Sequence, residues 1–120
     1  MTASNARFES GGLTITVDNA GPAATVQWLG VSDAREPSLQ LSPFFASLID
    51  QLASRPVTVD FRRFEYMNSA TVSPIISFVK SLDARGAKTT LLFDVSVPWQ
   101  KVNAQCMRAI ARTLSNVQVP

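Results

Sequence analysis

The sequence predicts an α/β domain: a mixed β-sheet that opens with an N-terminal hairpin and carries helices packed on it. Three observations lead there. Two early stretches, LTITV at 13–17 and ATVQWL at 24–29, bracket the turn-forming DNAGP with strand-like sequence. Val57 to Phe93 then follows a strand–helix–strand grammar, which in one sheet implies a right-handed parallel crossover. Three later segments repeat apolar residues at helical spacing, and helices beside a sheet must cover one of its faces.

Taken in order, Leu13–Val17 alternates with period two and forms the first strand. Asp18 to Pro22 turns the chain, and Ala24–Leu29 closes the hairpin. Gly30 to Ser38 reads as a polar loop. Leu41, Phe44, Phe45, Leu48, Ile49 and Leu52 then recur along one helical face. Ser42 is the expected cap of that helix, with Pro43 in its first turn, and Arg55-Pro56 ends it. Val57–Phe61 is the third strand. Val72, Ile75, Ile76, Val79 and Leu82 mark a second helix that stops at Arg85-Gly86. Lys88–Phe93 is a further strand, and Trp99, Val102, Cys106, Ile110 and Leu114 form the stripe of a third helix. Asn116–Pro120 is a short candidate strand. Trp28 and Cys106 are expected in the core, Trp99 at a helix start packed on it, and the Phe44-Phe45 pair split between core and surface.

With 120 residues, 46% hydrophobic and 17% charged, the chain is long enough to bury a core without disulfides or metal. One domain over 1–120 is expected, with 1–11 as a flexible N-terminal tail. Eleven Lys/Arg against nine Asp/Glu leave a net charge of +2. The basic residues are scattered, Arg62-Arg63 being the only adjacent pair, so no nucleic-acid-binding face is predicted. The first dozen residues lack the apolar core of a secretory signal, and no apolar run approaches the roughly 18 residues that span a bilayer. A lone Cys106 makes no internal disulfide. These features predict a cytoplasmic protein without membrane attachment.

The same inventory argues against catalysis. There is no histidine, Cys106 has no CxxC companion, and none of the five glycines belongs to a phosphate-binding loop. Asp60 and Asp94 form a carboxylate pair only if their strands are neighbours, and turn-capping at strand ends is the stronger reading of each. The expectation is a non-enzyme with no cofactor and no metal.

The stretch FEYMNSAT (64–71) ends an apolar, strand-like run immediately before a helical pattern. Asn68 and Ser69 are good helix caps, a role worth about 1 kcal/mol; Ser69 is equally a hydroxyl displayed for modification. Pro74 leaves two helix starts open. Either the helix begins by Ala70 with a distorted first turn, or Ser73 caps it with Pro74 at its first position. Thr71 and Ser73 are secondary hydroxyls on the same stretch.

VTVDFRRFEYMNSATVSPIISFVKSLDARGAKTTLLF resembles the core of a STAS domain, the fold of bacterial anti-sigma-factor antagonists. Asp60 takes the strand-end acidic position, Tyr66-Met67 the apolar lead-in and Asn68-Ser69 the Asp-Ser pair of that family. Ala84 to Lys88 matches its helix-to-strand junction. The likeness is specific over the central third and rests on element order elsewhere. Two departures place the chain in a divergent subgroup: Asn68 stands for the acidic residue, and Thr71 stands for a glycine, so a left-handed backbone is not expected there.

The resemblance implies a STAS-like single domain that binds a serine kinase/anti-sigma factor, is released when Ser69 is phosphorylated, and is reset by a cognate phosphatase. Asn68, Ser69, Ala70 and Thr71, with Arg62 and Arg63 beside them, are the implied partner-binding residues. It also implies transcription regulation in a bacterial cell and a monomer or weak dimer. The alternatives are a partner-switch module regulating another signalling enzyme, such as a cyclic-dinucleotide synthase, and a constitutive, unphosphorylated scaffold. A small-molecule ligand finds no Gly-rich or basic cradle in the sequence.

Overall fold

The computed structural model of the chain describes residues 6–53 and 55–120. Among the described residues, seven strands form one sheet. β1 (Ala6–Ser10), β2 (Leu13–Asp18) and the long β3 (Ala24–Ser32) make an antiparallel meander. α1 (Ser38–Leu52) leads to β4 (Val57–Asp60), and β5 (Phe64–Met67) follows after a short turn. A 3-10 turn (Ser69–Thr71) enters α2 (Val72–Ala84), which returns to β6 (Thr89–Leu92). α3 (Pro98–Ala111) and β7 (Val117–Gln118) complete the chain. The strand order is β1-β2-β3-β4-β6-β7, with β3 to β7 parallel and β5 paired to β3 alone.

Alternation along the strands decides which face is covered. Leu13, Ile15, Val17, Val26, Trp28, Val57, Val59 and Leu91 are buried in one cluster with Leu41, Phe45, Leu48, Ile75, Phe78, Val79, Leu82 and Met107 of the three helices. The helices therefore lie on one face of the sheet. The opposite face carries Thr14, Thr16, Gln27, Thr58, Thr90 and Leu92, all half-buried. Trp28 is the hub of the covered side, its ring centroid 5.9, 5.5 and 5.3 Å from those of Phe45, Phe61 and Phe64.

β3 is long enough to serve two parallel partners in succession. Its first half pairs with β4 through Ala24↔Val57 to Gln27↔Asp60, and its last three residues pair with β5. The register shifts between Gly30 and Val31, where Gly30 takes φ +81°. The Val31 N–H, next along, donates to the Gly12 carbonyl at 3.0 Å. β5 thus continues the column of β4 beyond the end of β6, where no strand of the described residues lies on its outer side. Side chains of α3 satisfy that edge: Trp99 Nε1–H donates to the Glu65 carbonyl at 3.0 Å, and the Gln100 amide to those of Phe64 at 3.0 Å and Arg62 at 3.4 Å.

Several expectations need correction. Residues 6–10, expected within a flexible tail, form β1, because Phe8 reaches Phe44 of α1 (5.2 Å between centroids) and gives the segment a face to bury; residues 1–5 of that tail lie outside the described residues. The loop expected from Gly30 begins at Asp33, since β3 runs on to meet β5. Helix α1 starts at Ser38, with Pro37 as its cap and Pro43 inside it. Pro37 has the helical φ of −63° built in, and its carbonyl accepts the Leu41 N–H at 2.9 Å, so the helix begins a turn before Ser42. Cys106 is exposed. α3 is rotated to direct Gln100, Ala104 and Met107 inward, leaving Val102 64% exposed, because the Gln100 amide is needed at the β5 edge. Phe44 and Phe45 split as expected, with Phe45 buried and Phe44 half-buried.

Candidate functional site

The site is built where three segments end. β3 stops at Ser32, β5 stops at Met67, and α2 is entered through the 3-10 turn. The Asn68 N–H donates to the Ser32 carbonyl at 2.9 Å, extending the β3–β5 ladder by one bond. Asn68 itself has extended backbone (φ −80°, ψ 169°), the geometry of a cap. Its Oδ1 accepts the Thr71 N–H at 3.1 Å and the Thr71 hydroxyl at 2.7 Å. Its Nδ2 donates to the Ala34 carbonyl at 2.8 Å.

The helix therefore begins by Ala70 with a tightened first turn, and Ser73 is not its cap. Pro74 is the third residue of α2, in the first α-helical turn that follows the 3-10 turn, where the change of hydrogen-bond pattern accommodates its missing N–H. Thr71, in place of a glycine, has an ordinary φ of −74°.

Ser69 and Ala70 are exposed at the head of the turn, between the half-buried Asn68 and the wholly buried Thr71. Thr71 needs correction as a partner-binding residue and as a secondary phosphate acceptor. Its side chain points inward and its hydroxyl is bonded to Asn68 and, at 2.7 Å, to Ser32 Oγ. Exposed Ser73 keeps an accessible hydroxyl.

Arg62 is paired with Asp60 and stays largely exposed. Asp60 points to the face of the sheet opposite Val59, and Arg62 folds back on it, with Nε 3.0 Å from Oδ1 and Nη2 2.9 Å from Oδ2. The Arg62 backbone N–H adds a bond to Oδ1 at 2.9 Å. Arg63 is exposed. β4 and β6 are neighbours, but each carboxylate has its own partner: Asp60 is held by Arg62, and Asp94 accepts from the N–H and hydroxyl of Ser96 in a turn-capping role.

Arg62 also sets the titration of Asp60. Its side-chain hydrogen bonds hold the Asp60 carboxyl below the usual carboxylate range, against the opposing effect of burial. With the folded pKa depressed, the stabilisation is present above the unfolded value of about 3.9 and is lost as the pH falls through the folded value. Asp60→Asn should therefore cost stability at pH 7 and progressively less below pH 4. Urea unfolding at both pH values checks this; a penalty independent of pH would rule out the ion pair as its source.

The residues that sequence reasoning missed are Ser32 and Ala34. They lie 39 residues before Thr71 and 34 before Asn68 respectively, and no spacing within the motif reports them. Only the β3–β5 pairing brings them in.

No protein-family model and no curated protein sequence matches the chain. Solved structures do. SiaC of Pseudomonas aeruginosa superposes with a TM-score of 0.68 at 15% identity, covering 98% of this chain and 99% of that one. The complex of the diguanylate cyclase SiaD with its activator SiaC, from the same organism, matches with a TM-score of 0.66 at 14% identity, covering 96% and 99%. The anti-sigma factor antagonist SpoIIAA, in its unphosphorylated form, matches with a TM-score of 0.59 at 13% identity, covering 88% and 87%. The chain has the STAS fold that these proteins share. Among the described residues, no helix is long and apolar enough to cross a membrane.

Proposed function

We propose that this protein is a non-enzymatic regulator that works by binding a protein partner, with phosphorylation of Ser69 as the switch. The observation that carries the reading is the contrast within one turn: Ser69 is exposed while Asn68 and Thr71 on either side are tied into the fold. A modification there leaves the core bonds in place. A phosphate at the start of α2 meets unpaired N–H groups and the positive end of the helix, so the domain tolerates it. Against a partner fitted to a small hydroxyl, the same group adds about −1.5 to −2 charges. A mismatch of about 3 kcal/mol lowers affinity roughly a hundredfold.

The partner in this reading is a serine kinase that is also an anti-sigma factor, with a cognate phosphatase resetting the switch. Asn68, Ser69, Ala70 and Arg63 form the contact surface. The protein acts in the bacterial cytoplasm as a monomer or weak dimer without a cofactor, and its output is transcription. A second reading has support of its own. The match to SiaC is longer and closer than that to SpoIIAA (TM-score 0.68 against 0.59), which favours a signalling enzyme of the diguanylate cyclase type as the regulated partner.

The test is phosphopeptide mapping of protein recovered from its native cells, with and without stress. A phosphate confined to Ser69 is expected. The partner co-purifying with Ser69→Ala should then bind Ser69→Asp about a hundredfold more weakly. An unmodified chain under every condition, or equal binding by the two variants, sinks the switch and leaves a constitutive scaffold.

A further inference from the structure

Asn68 uses both ends of its amide. Oδ1 takes two bonds from Thr71, and Nδ2 gives one to the carbonyl of Ala34 in the loop between β3 and α1. The orientation of the amide is fixed by the two backbone groups it meets, the Thr71 N–H and the Ala34 carbonyl, and a buried pair of hydroxyls adapts to it. The Thr71 hydroxyl spends its proton on Asn68 Oδ1, so the 2.7 Å contact between Ser32 and Thr71 is made with the proton of Ser32. Turning the amide over would face its NH2 group toward the Thr71 N–H and its oxygen toward the Ala34 carbonyl, losing both of those backbone bonds, while the Thr71 hydroxyl would turn from donor to acceptor.

We infer that Asn68 and Ser32 are positioning residues that join the 33–36 loop to the 68–70 turn as one rigid surface, so that a partner reading Ser69 meets both segments. This rests on the reading of Ser69 as a switch. The joined loop is exposed throughout and brings Asp33, Arg35 and Glu36 to that surface. The departure from an acidic residue at position 68 acquires a physical meaning. A carboxylate keeps both acceptor bonds to Thr71, and it favours the helix start as well as an amide does. It has no proton for Ala34, and it sets negative charge against a carbonyl oxygen. Asn at this position therefore adds a tether to the cap.

The cap and the tether are separated by Asn68→Asp, followed by backbone 15N relaxation of the full chain. Wild-type residues 34–36 are expected to show order parameters near those of rigid backbone, about 0.85. In Asn68→Asp they should fall below about 0.6, the range of flexible backbone, while the thermal midpoint stays within a few degrees of wild type. Ser32→Ala should loosen the same residues, and Ser32→Thr, which keeps the hydroxyl, should restore them. This second pair carries the test should Asn68→Asp fold poorly. Unchanged order parameters at 34–36 in both Asn68→Asp and Ser32→Ala overturn the inference. Loosening there in protein whose Ser69 is never phosphorylated in cells upholds the tether and overturns the switch; an intact loop with phosphorylated Ser69 does the reverse.

Discussion

Trp28→Ala is expected to remove about 3–5 kcal/mol of folding stability, a large part of the roughly 5–15 kcal/mol that native proteins commonly have. The ring is wholly buried and touches Phe45 of α1, Phe61 beyond β4 and Phe64 of β5. Those contacts join α1 to both parallel partners of β3, so the cavity would open at the junction of the fold. Urea unfolding gives the loss directly. Trp28→Phe refines the argument. Among the described residues the buried indole N–H has no hydrogen-bond partner, a penalty of about 1–3 kcal/mol that phenylalanine does not incur. The phenylalanine variant should keep most of the stability. Equal losses in the two variants would show that ring contact is not what Trp28 contributes.

Gly30→Ala should be nearly as severe, at roughly 3 kcal/mol or more. The position combines a φ of +81° with a close approach: an added Cβ would stand 2.1 Å from the Gly12 carbonyl oxygen. That oxygen is backbone and already accepts the Val31 N–H, so relief requires moving the β2–β3 pairing itself. Gly86 is the internal control. Its φ of +79° is similar but nothing lies within 4 Å of a built Cβ, so Gly86→Ala should cost only about 1 kcal/mol. Thermal unfolding of the two variants side by side checks the difference. Similar losses would mean that backbone conformation, and not the contact with Gly12, limits position 30.

The elements most legible in the sequence are those whose pattern and boundary signals agree. The end of α2 is one. Arg85-Gly86 predicts a stop, and the structure has Gly86 left-handed, with the Gly86 N–H bonded to Asp83 and the Ala87 N–H to Leu82. The central parallel strands and the Asn68 cap were readable for the same reason. α3 was not. Its apolar stripe predicted one buried face, but a polar residue, Gln100, is wholly buried because it donates to Phe64 and accepts the Asp94 N–H at 2.7 Å. Local periodicity carries no information about such distant carbonyls. β1 escaped because only Ala6 and Phe8 of it pack on the core, too short a pattern to mark a strand. At the site, Ser69 was visible as a displayed hydroxyl, whereas the inward turn of Thr71 and the return of Arg62 to Asp60 follow from which sheet face each neighbour occupies.

The side chains that meet the outer carbonyls of β5 have a meaning for the protein's behaviour at high concentration. A strand with an open edge is a template on which another chain can add its own backbone, the first step toward fibrils and unwanted oligomers. β5 runs directly into the turn that carries Ser69, so blocking its edge with a regular strand or a long loop would also crowd the turn. Two side chains from a single helical turn suffice instead. The edge is closed to backbone addition by copies of the chain, while the serine three residues after Tyr66 remains open to solvent.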